Sequence, residues 1–392
     1  MKFVVAGFGS RGDVEPCIAV ARELLRRGHG VRLALTVPPD MLAVIESAGL
    51  TAVPYGRDWQ AQLRDEDFVR MIQNPLSAIH EAIEYVAQVA AEKTATLMSL
   101  TDGADLLLAG ITEQGLAANV AEYYGIPLAA LHFFPTQILE LGSPQGSVAK
   151  QAEHAQRRAL GLPEATGPHQ SLEIQAYDEM CLPEQAAQWA ELAGRRPFVG
   201  ALTLELPTAA DDEVLSWAAA GTPPIYFGFG SMPIAHPADT VAAISAACAH
   251  LGERALIWSG PNDFTHIPHP EHVKVVDTVG LAAIFPLCRA VVHHGGAGTT
   301  AAGLRAGIPT LVLWNGLDQP LWAAGIEQLK VGVARCFSAS TAESLVADLR
   351  LILTPQYASR AREVATQMTK PTESLARTAD LLEDVAGQAR EH

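Results

Sequence analysis

The stretch His293-His294-Gly295-Gly296-Ala297-Gly298-Thr299-Thr300 follows the apolar run Ala290-Val291-Val292 and precedes the helix-like Ala301-Ala302-Gly303-Leu304-Arg305-Ala306. It reads as the point where a buried strand hands over to a helix N-terminus. Three of the four residues Gly295, Gly296, Ala297 and Gly298 are glycine. That density predicts backbone N–H groups, from Gly295 through Thr299, able to close around an oxyanion, with the helix dipole adding partial positive charge. A histidine and two threonine hydroxyls border the loop, which suits the diphosphate of a nucleotide, although no Walker-type Lys is present. The plainer alternative is a Gly-rich turn beside buried histidines.

The N-terminus carries a second strand-to-helix turn. Residues 3–6 read as a buried strand, 18–27 as an amphipathic helix and 31–35 as another strand. The turn Gly7-Phe8-Gly9-Ser10-Arg11-Gly12-Asp13 matches the dinucleotide pattern GxGxxG, so an NAD(P)-dependent oxidoreductase is one reading. The acid that should bond a ribose near the second strand's end is missing. Leu35-Thr36-Val37-Pro38 stands there, and Asp40 lies beyond two prolines. Asp13 offers other chemistry, either as a helix N-cap or as a carboxylate at the carboxyl end of a strand, where open α/β sheets place their ligands.

With 392 residues, 49% of them hydrophobic, the chain is long enough for two α/β domains. Its formal charge of −16, with no compensating basic run, argues against a nucleic-acid partner. Cys17, Cys181, Cys248, Cys288 and Cys336 are scattered without a CxxC pair, which fits a reducing compartment and excludes a cysteine-based zinc site. The apolar start at residues 3–8 is too short for a signal peptide, and no run is long enough to span a bilayer, so a cytoplasmic location is expected.

Residues 75–100 read as mostly helical, 105–109 as a strand, 114–123 as a helix and 127–131 as a strand. Phe133 and Phe134 follow that last strand and read as core or as the lining of an apolar acceptor pocket. Between about 143 and 191 no element can be placed. The acidic triplet Asp65-Glu66-Asp67 has a metal-binding DxD form but reads as a solvated face, so no metal site is expected. A Pro/Gly/acidic stretch over 206–222 suggests a linker. A second α/β series follows, in which Ser231, the opening loop and Asp318-Gln319 each come after a strand and so collect on one sheet edge. Asp318, ahead of Gln319-Pro320, is also a good N-cap.

Four motifs stand in order: GSRGDVEP (9–16), PPIYFGFGSM (223–232), HHGGAGTT (293–300) and LDQP (317–320). Together they resemble glycosyltransferase family 1, in the bacterial branch that decorates glycopeptide and macrolide antibiotics and glycopeptidolipids. The resemblance spans nearly the whole chain and is weakest between about 55 and 190. It implies the α/β GT-B fold, with two Rossmann-like domains facing each other across a cleft. The acceptor-binding domain would cover 1–205 and the nucleotide-sugar domain 223–371, with a C-terminal helix over 372–392 crossing back.

The same resemblance implies inverting transfer of a hexose or deoxyhexose from a UDP- or dTDP-sugar to a hydroxyl of an apolar or amphipathic acceptor. No cofactor or metal would be required. Asp13 matches the base. Ser10, Arg11 and Gly12 match the residues facing the donor phosphates, and Ser231 a phosphate or ribose contact. His294, Gly296, Ala297, Gly298 and Thr299 match the diphosphate seat, and Asp318 and Gln319 the sugar-hydroxyl pair. The segment 277–286 departs from the family by lacking a His or Gln ahead of its Ile-Phe-Pro, which leaves base recognition to the Val279 backbone and apolar packing. The implied partners are a sugar nucleotide and a hydrophobic acceptor, with no nucleic acid and no stable membrane insertion, and the protein would be a monomer or weak homodimer. A non-catalytic sugar-nucleotide-binding homologue is the remaining alternative, against which the retained Asp13 and Asp318-Gln319 speak.

Overall fold

The computed structural model describes residues 1–37, 40–57, 79–135, 144–164, 171–192, 194–205, 211–262, 264 and 266–391. The acidic triplet Asp65-Glu66-Asp67 lies outside the described residues. The first half runs β1 (Lys2–Phe8), α1 (Arg11–Arg26), β2 (Gly30–Thr36), α2 (Asp40–Ser47), β3 (Ala52–Pro54), α3 (Ile79–Thr101), β4 (Leu106–Ala109), α4 (Gln114–Tyr124), β5 (Leu128–His132), α5 (Pro144–Ala159), β6 (Leu172–Gln175) and α6 (Pro183–Gln188). The second half runs α7 (Asp211–Ala219), β7 (Ile225–Gly228), α8 (Pro237–Leu251), β8 (Ala255–Trp258), β9 (Val273–Val276), α9 (Leu281–Ile284), β10 (Ala290–His293), α10 (Ala297–Ala306), β11 (Thr310–Trp314), α11 (Gln319–Gln328), β12 (Gly332–Cys336), α12 (Ala342–Ile352), α13 (Pro355–Ala365) and α14 (Pro371–Glu391).

Two parallel six-stranded sheets result, ordered β3-β2-β1-β4-β5-β6 and β12-β11-β10-β7-β8-β9. Successive residues of a strand point to opposite faces, and both faces of the second sheet are covered. Ile225 and Phe227 of β7 enter a core with Ile257, Val292 and Leu311, while Tyr226 between them enters another with Leu256, Val291 and Phe285. This double burial is why these strands are nearly continuous apolar runs. Removing one such side chain from water is worth about 1.5–3 kcal/mol. In each sheet the order reverses beside its first strand, between β1 and β4 and between β7 and β10, which are the places where open α/β sheets bind ligands.

The chain divides into two units. One comprises Met1–Asp178, Glu184–Leu204 and Pro371–His392, and the other Glu179–Pro183 and Glu205–Lys370. Within the first, α14 packs on α1. The Arg27 guanidinium reaches Asp380 at 2.6 Å and Glu383 at 3.0 Å, and His29 Nε2 lies 2.6 Å from Glu383. Within the second, α7 falls inside the stretch read as a linker, because its Val214 and Ala218 are buried against Tyr226 and Phe285.

Two further elements depart from the sequence reading. Helix α1 starts at Arg11 rather than residue 18, since Ser10 caps it and Pro16, inside the helix, removes only one amide donor. Helix α5 had no legible period because its buried positions are the small or polar Val148, Ala152 and Gln156. Gln156 is held by Asn119 and Thr94 instead of by apolar contact. Among the described residues no helix is long and apolar enough to cross a membrane.

Each unit ends a central strand in a buried histidine. Burial pushes His132 down to about 4, partly opposed by Glu173, and His293 down to about 3, helped by neighbouring His294. Both pKa values lie below the value of about 6.5 for an unfolded histidine. Below that pH the unfolded chain binds protons that the folded chain refuses, so stability falls as pH drops. The melting temperature is therefore expected to be flat above about pH 7 and to decline from about 6.5 towards 4. His132→Gln and His293→Asn should flatten that decline, and an unchanged slope in both would refute this account.

Candidate active site

In the first unit, β1 delivers the loop Gly9 to Asp13 to the reversal point of its sheet. Asp13 is not the N-cap but the third residue of α1, and its Oδ2 turns back to accept from the Ser10 amide at 2.6 Å and the Ser10 hydroxyl at 2.8 Å. The turn depends on Gly9, whose φ of 135° suits glycine and whose Cβ, if present, would lie 2.4 Å from that oxygen. Arg11 pairs along the helix with Glu15 at 2.8 Å, and Glu15 also accepts the Leu204 amide at 3.0 Å. Gly12 is exposed in the same first turn.

Beside this loop, Lys93 of α3 and Glu113 after β4 form a buried ion pair that the sequence reading missed. Lys93 Nζ lies 2.8 Å from Glu113 and 3.8 Å above the Phe8 ring, and the Thr112 hydroxyl reaches the Phe8 carbonyl at 3.2 Å. The available signal was Gly110 directly after a strand, the same mark that singled out the other loops. Phe133 and Phe134 follow β5, are buried, and pack edge to face with ring centroids 5.3 Å apart.

In the second unit, the loops after β7 and β10 meet at the reversal point, with His293 registered opposite Gly228. The His294 ring fills the space between two glycines. A Cβ on Gly230 would stand 2.4 Å from its Cε1, and one on Gly296 2.6 Å from its Nε2. Burial pushes His294 down to about 4, and the Gly228 carbonyl opposes this only in part, so the ring is neutral near pH 7. It therefore carries no positive charge, and its one N–H faces the Gly228 carbonyl.

Gly296 is the N-cap of α10 and carries no side chain to satisfy the helix. The amides of Ala297, Gly298 and Thr299 in the first turn thus have no helical acceptor. The seat is narrower than the sequence suggested at two positions: Gly295 N–H donates to His293 Nδ1 at 3.0 Å, and the Thr300 hydroxyl bonds back to the Gly296 carbonyl at 2.9 Å.

The Asp318-Gln319 loop abuts the same turn, since a Cβ on Gly295 would stand 3.1 Å from the Gln319 Cβ and carbonyl oxygen. Asp318 occupies the N-cap position of α11, yet its Oδ2 accepts from the Trp322 indole at 2.9 Å instead of capping the helix. Burial raises its pKa, with the Trp322 bond opposing. Gln319 Oε1 accepts the Asn315 amide at 2.7 Å. Leu317 beside them is 84% exposed at φ 57°, a strained backbone of the kind found at ligand loops. Ser231 is exposed after β7, while Val279 is 5% exposed within the core that holds Phe285. The structure thus gathers His294, the α10 turn and Asp318-Gln319 around one edge, with Ser231 on the loop that meets His294. It buries the Val279 side chain.

Comparison with known proteins bears on this arrangement. A family model described as Glycosyltransferase family 28 N-terminal domain matches residues 3–138, and one described as Erythromycin biosynthesis protein CIII-like, C-terminal domain, matches residues 258–381. An uncharacterized glycosyltransferase of Mycobacterium leprae is 58% identical over 414 residues, covering 99% of this chain and 98% of its own. Vancomycin aglycone glucosyltransferase of Amycolatopsis orientalis is 30% identical over 426 residues, covering 100% and 99%. Among solved structures, spinosyn rhamnosyltransferase complexed with thymidine diphosphate superposes with a TM-score of 0.67 at 20% identity, covering 97% of this chain and 100% of that one, a likeness of fold. The oxidoreductase reading of the first loop is not favoured. The chain is a glycosyltransferase and belongs to the GT-B family 1 enzymes, in the branch that contains the antibiotic glycosyltransferases.

Proposed function

We propose that the enzyme transfers a hexose or deoxyhexose from a UDP- or dTDP-sugar to a hydroxyl of an apolar or amphipathic acceptor, such as a natural-product aglycone or a glycopeptidolipid. Transfer inverts the anomeric centre and needs no metal. The observation that carries this reading is the open first turn of α10 beside the neutral His294. There, amide dipoles suit a leaving diphosphate whose charge grows in the transition state, and the imidazole N–H joins them by exchanging the Gly228 carbonyl for a phosphate oxygen. The 30% identity to a vancomycin aglycone glucosyltransferase supports an acceptor of natural-product type.

Asp13 takes the acceptor proton as the hydroxyl oxygen attacks the anomeric carbon from the face opposite the diphosphate, whose bond to that carbon breaks. Ser10 holds the carboxylate in place. Ser10, Arg11 and Gly12 meet the donor phosphates, and Ser231 a phosphate or the ribose. Asp318 and the amide NH2 of Gln319 bond the sugar hydroxyls. Val279 serves the base through its backbone, and Phe133 and Phe134 border the acceptor. The enzyme works in the cytoplasm as a monomer or weak homodimer.

Asp13→Asn keeps an oxygen to accept from Ser10 but no base. Transfer should fall about 10²- to 10⁴-fold with nucleoside diphosphate affinity unchanged, and near-normal turnover would remove Asp13 from the chemistry. His294→Ala should weaken nucleoside diphosphate binding by calorimetry and slow transfer about 10²- to 10³-fold, whereas unchanged affinity would dismiss the ring as a phosphate donor. Exhaustive chelation should leave the rate intact. Activity lost to chelator and restored by Mg²⁺ would contradict the metal-free mechanism.

A further inference from the structure

His293 is 0% exposed at the end of β10 and has no part in the mechanism above. Its Nδ1 accepts the Gly295 amide at 3.0 Å. A backbone N–H can only donate, so the ring proton sits on Nε2. That nitrogen is buried and finds no partner among the described residues. A leucine there would remove that orphan donor but would leave the buried Gly295 N–H without its acceptor, so one unpaired donor would replace another. The two cases are close in stability, so what the imidazole chiefly decides is the direction of the Gly295 N–H.

At φ 94° Gly295 packs against Val312 Cγ1 at 3.0 Å and against Gln319 Cβ and carbonyl oxygen at 3.1 Å, measured from where a Cβ would stand. The peptide that His293 grips is thus wedged between β11 and the start of α11. Its other end leads directly into Gly296 and the open amides of α10. Turning that peptide would move the amides and the Gln319 backbone together.

We propose that His293 is a positioning residue: by accepting the Gly295 N–H it fixes the diphosphate-binding turn of α10 in register with the sugar-binding Gln319. This rests on the reading of that turn as the diphosphate seat. The imidazole acts as a neutral acceptor throughout, with no proton transferred.

The test uses the full chain, calorimetry and thermal melting, with uridine diphosphate, thymidine diphosphate and the two free nucleosides as probes. His293→Leu removes the acceptor and the orphan donor together. Its melting temperature should stay close to wild type, one orphan donor replacing another, while its Kd for the better-binding diphosphate rises about tenfold, with nucleoside binding unmoved. His293→Asn places an amide oxygen near the Nδ1 position and should restore diphosphate affinity, whereas His293→Gln, reaching towards Nε2, should not. If the Leu variant fails to fold, the contrast between Asn and Gln decides. Wild-type affinity in the Leu or Gln variant overturns the proposal, as does equal loss in folded Asn and Gln variants. A wild-type chain that binds neither diphosphate overturns the seat itself and this inference with it.

Discussion

The His294 imidazole stands where two side chains cannot. Because its ring edge fills the space beside Gly230 and Gly296, the strand ends of β7 and β10 are held to glycine, and glycine leaves the first amides of α10 uncovered. The same packing removes water from the ring and keeps it neutral. In the proposed function, attraction for a diphosphate in a chain of formal charge −16 would come from local dipoles and donors, which act over a turn of helix. Donors held at fixed positions gain strength as charge develops on an acceptor, which is what a leaving group requires.

The two units share one topology and use its reversal point in opposite ways. Helix α10 leaves its N-terminus open at a side-chain-free cap, so an anion from outside can settle there. Helix α1 fills its own N-terminus with the Asp13 carboxylate, folded back onto Ser10. This is the physical reason that GFGSRG, despite its letters, is a poor dinucleotide seat: the place of the pyrophosphate is already taken by an acid of the chain. That acid is instead presented at the carboxyl edge of a sheet, beside a buried Lys93–Glu113 pair whose lysine, on α3, lies over the Phe8 ring.

Much of this was legible before any coordinates. The apolar runs of β7, β10 and β11 announced buried strands, the glycines after them marked the turns that follow, and the four ordered motifs announced the family. Other elements were not legible, for identifiable reasons. Helix α5 buries Gln156 through side-chain bonds to Asn119 and Thr94, so it has no apolar stripe to read. Helix α7 looked like a linker because acidic residues and glycine surround its short apolar face, and only the core of the second unit reveals where Val214 goes. The start of α1 was legible only to within a few residues, because Asp13 has the chemistry of a cap yet stands third in the helix, with Ser10 at the cap.

What the sequence determined by itself is local: where strands give way to helices, where glycine frees the backbone, and which acid and amide follow which strand. These depend on neighbours within a few residues. The tertiary structure alone decided which of those groups remain available. Gly295 N–H is claimed by His293, the Thr300 hydroxyl by Gly296 and the Asp318 carboxylate by Trp322, while His294 loses its charge to burial. Desolvation and hydrogen-bond competition depend on what the whole fold brings within a few ångströms, and no window of sequence contains that distance.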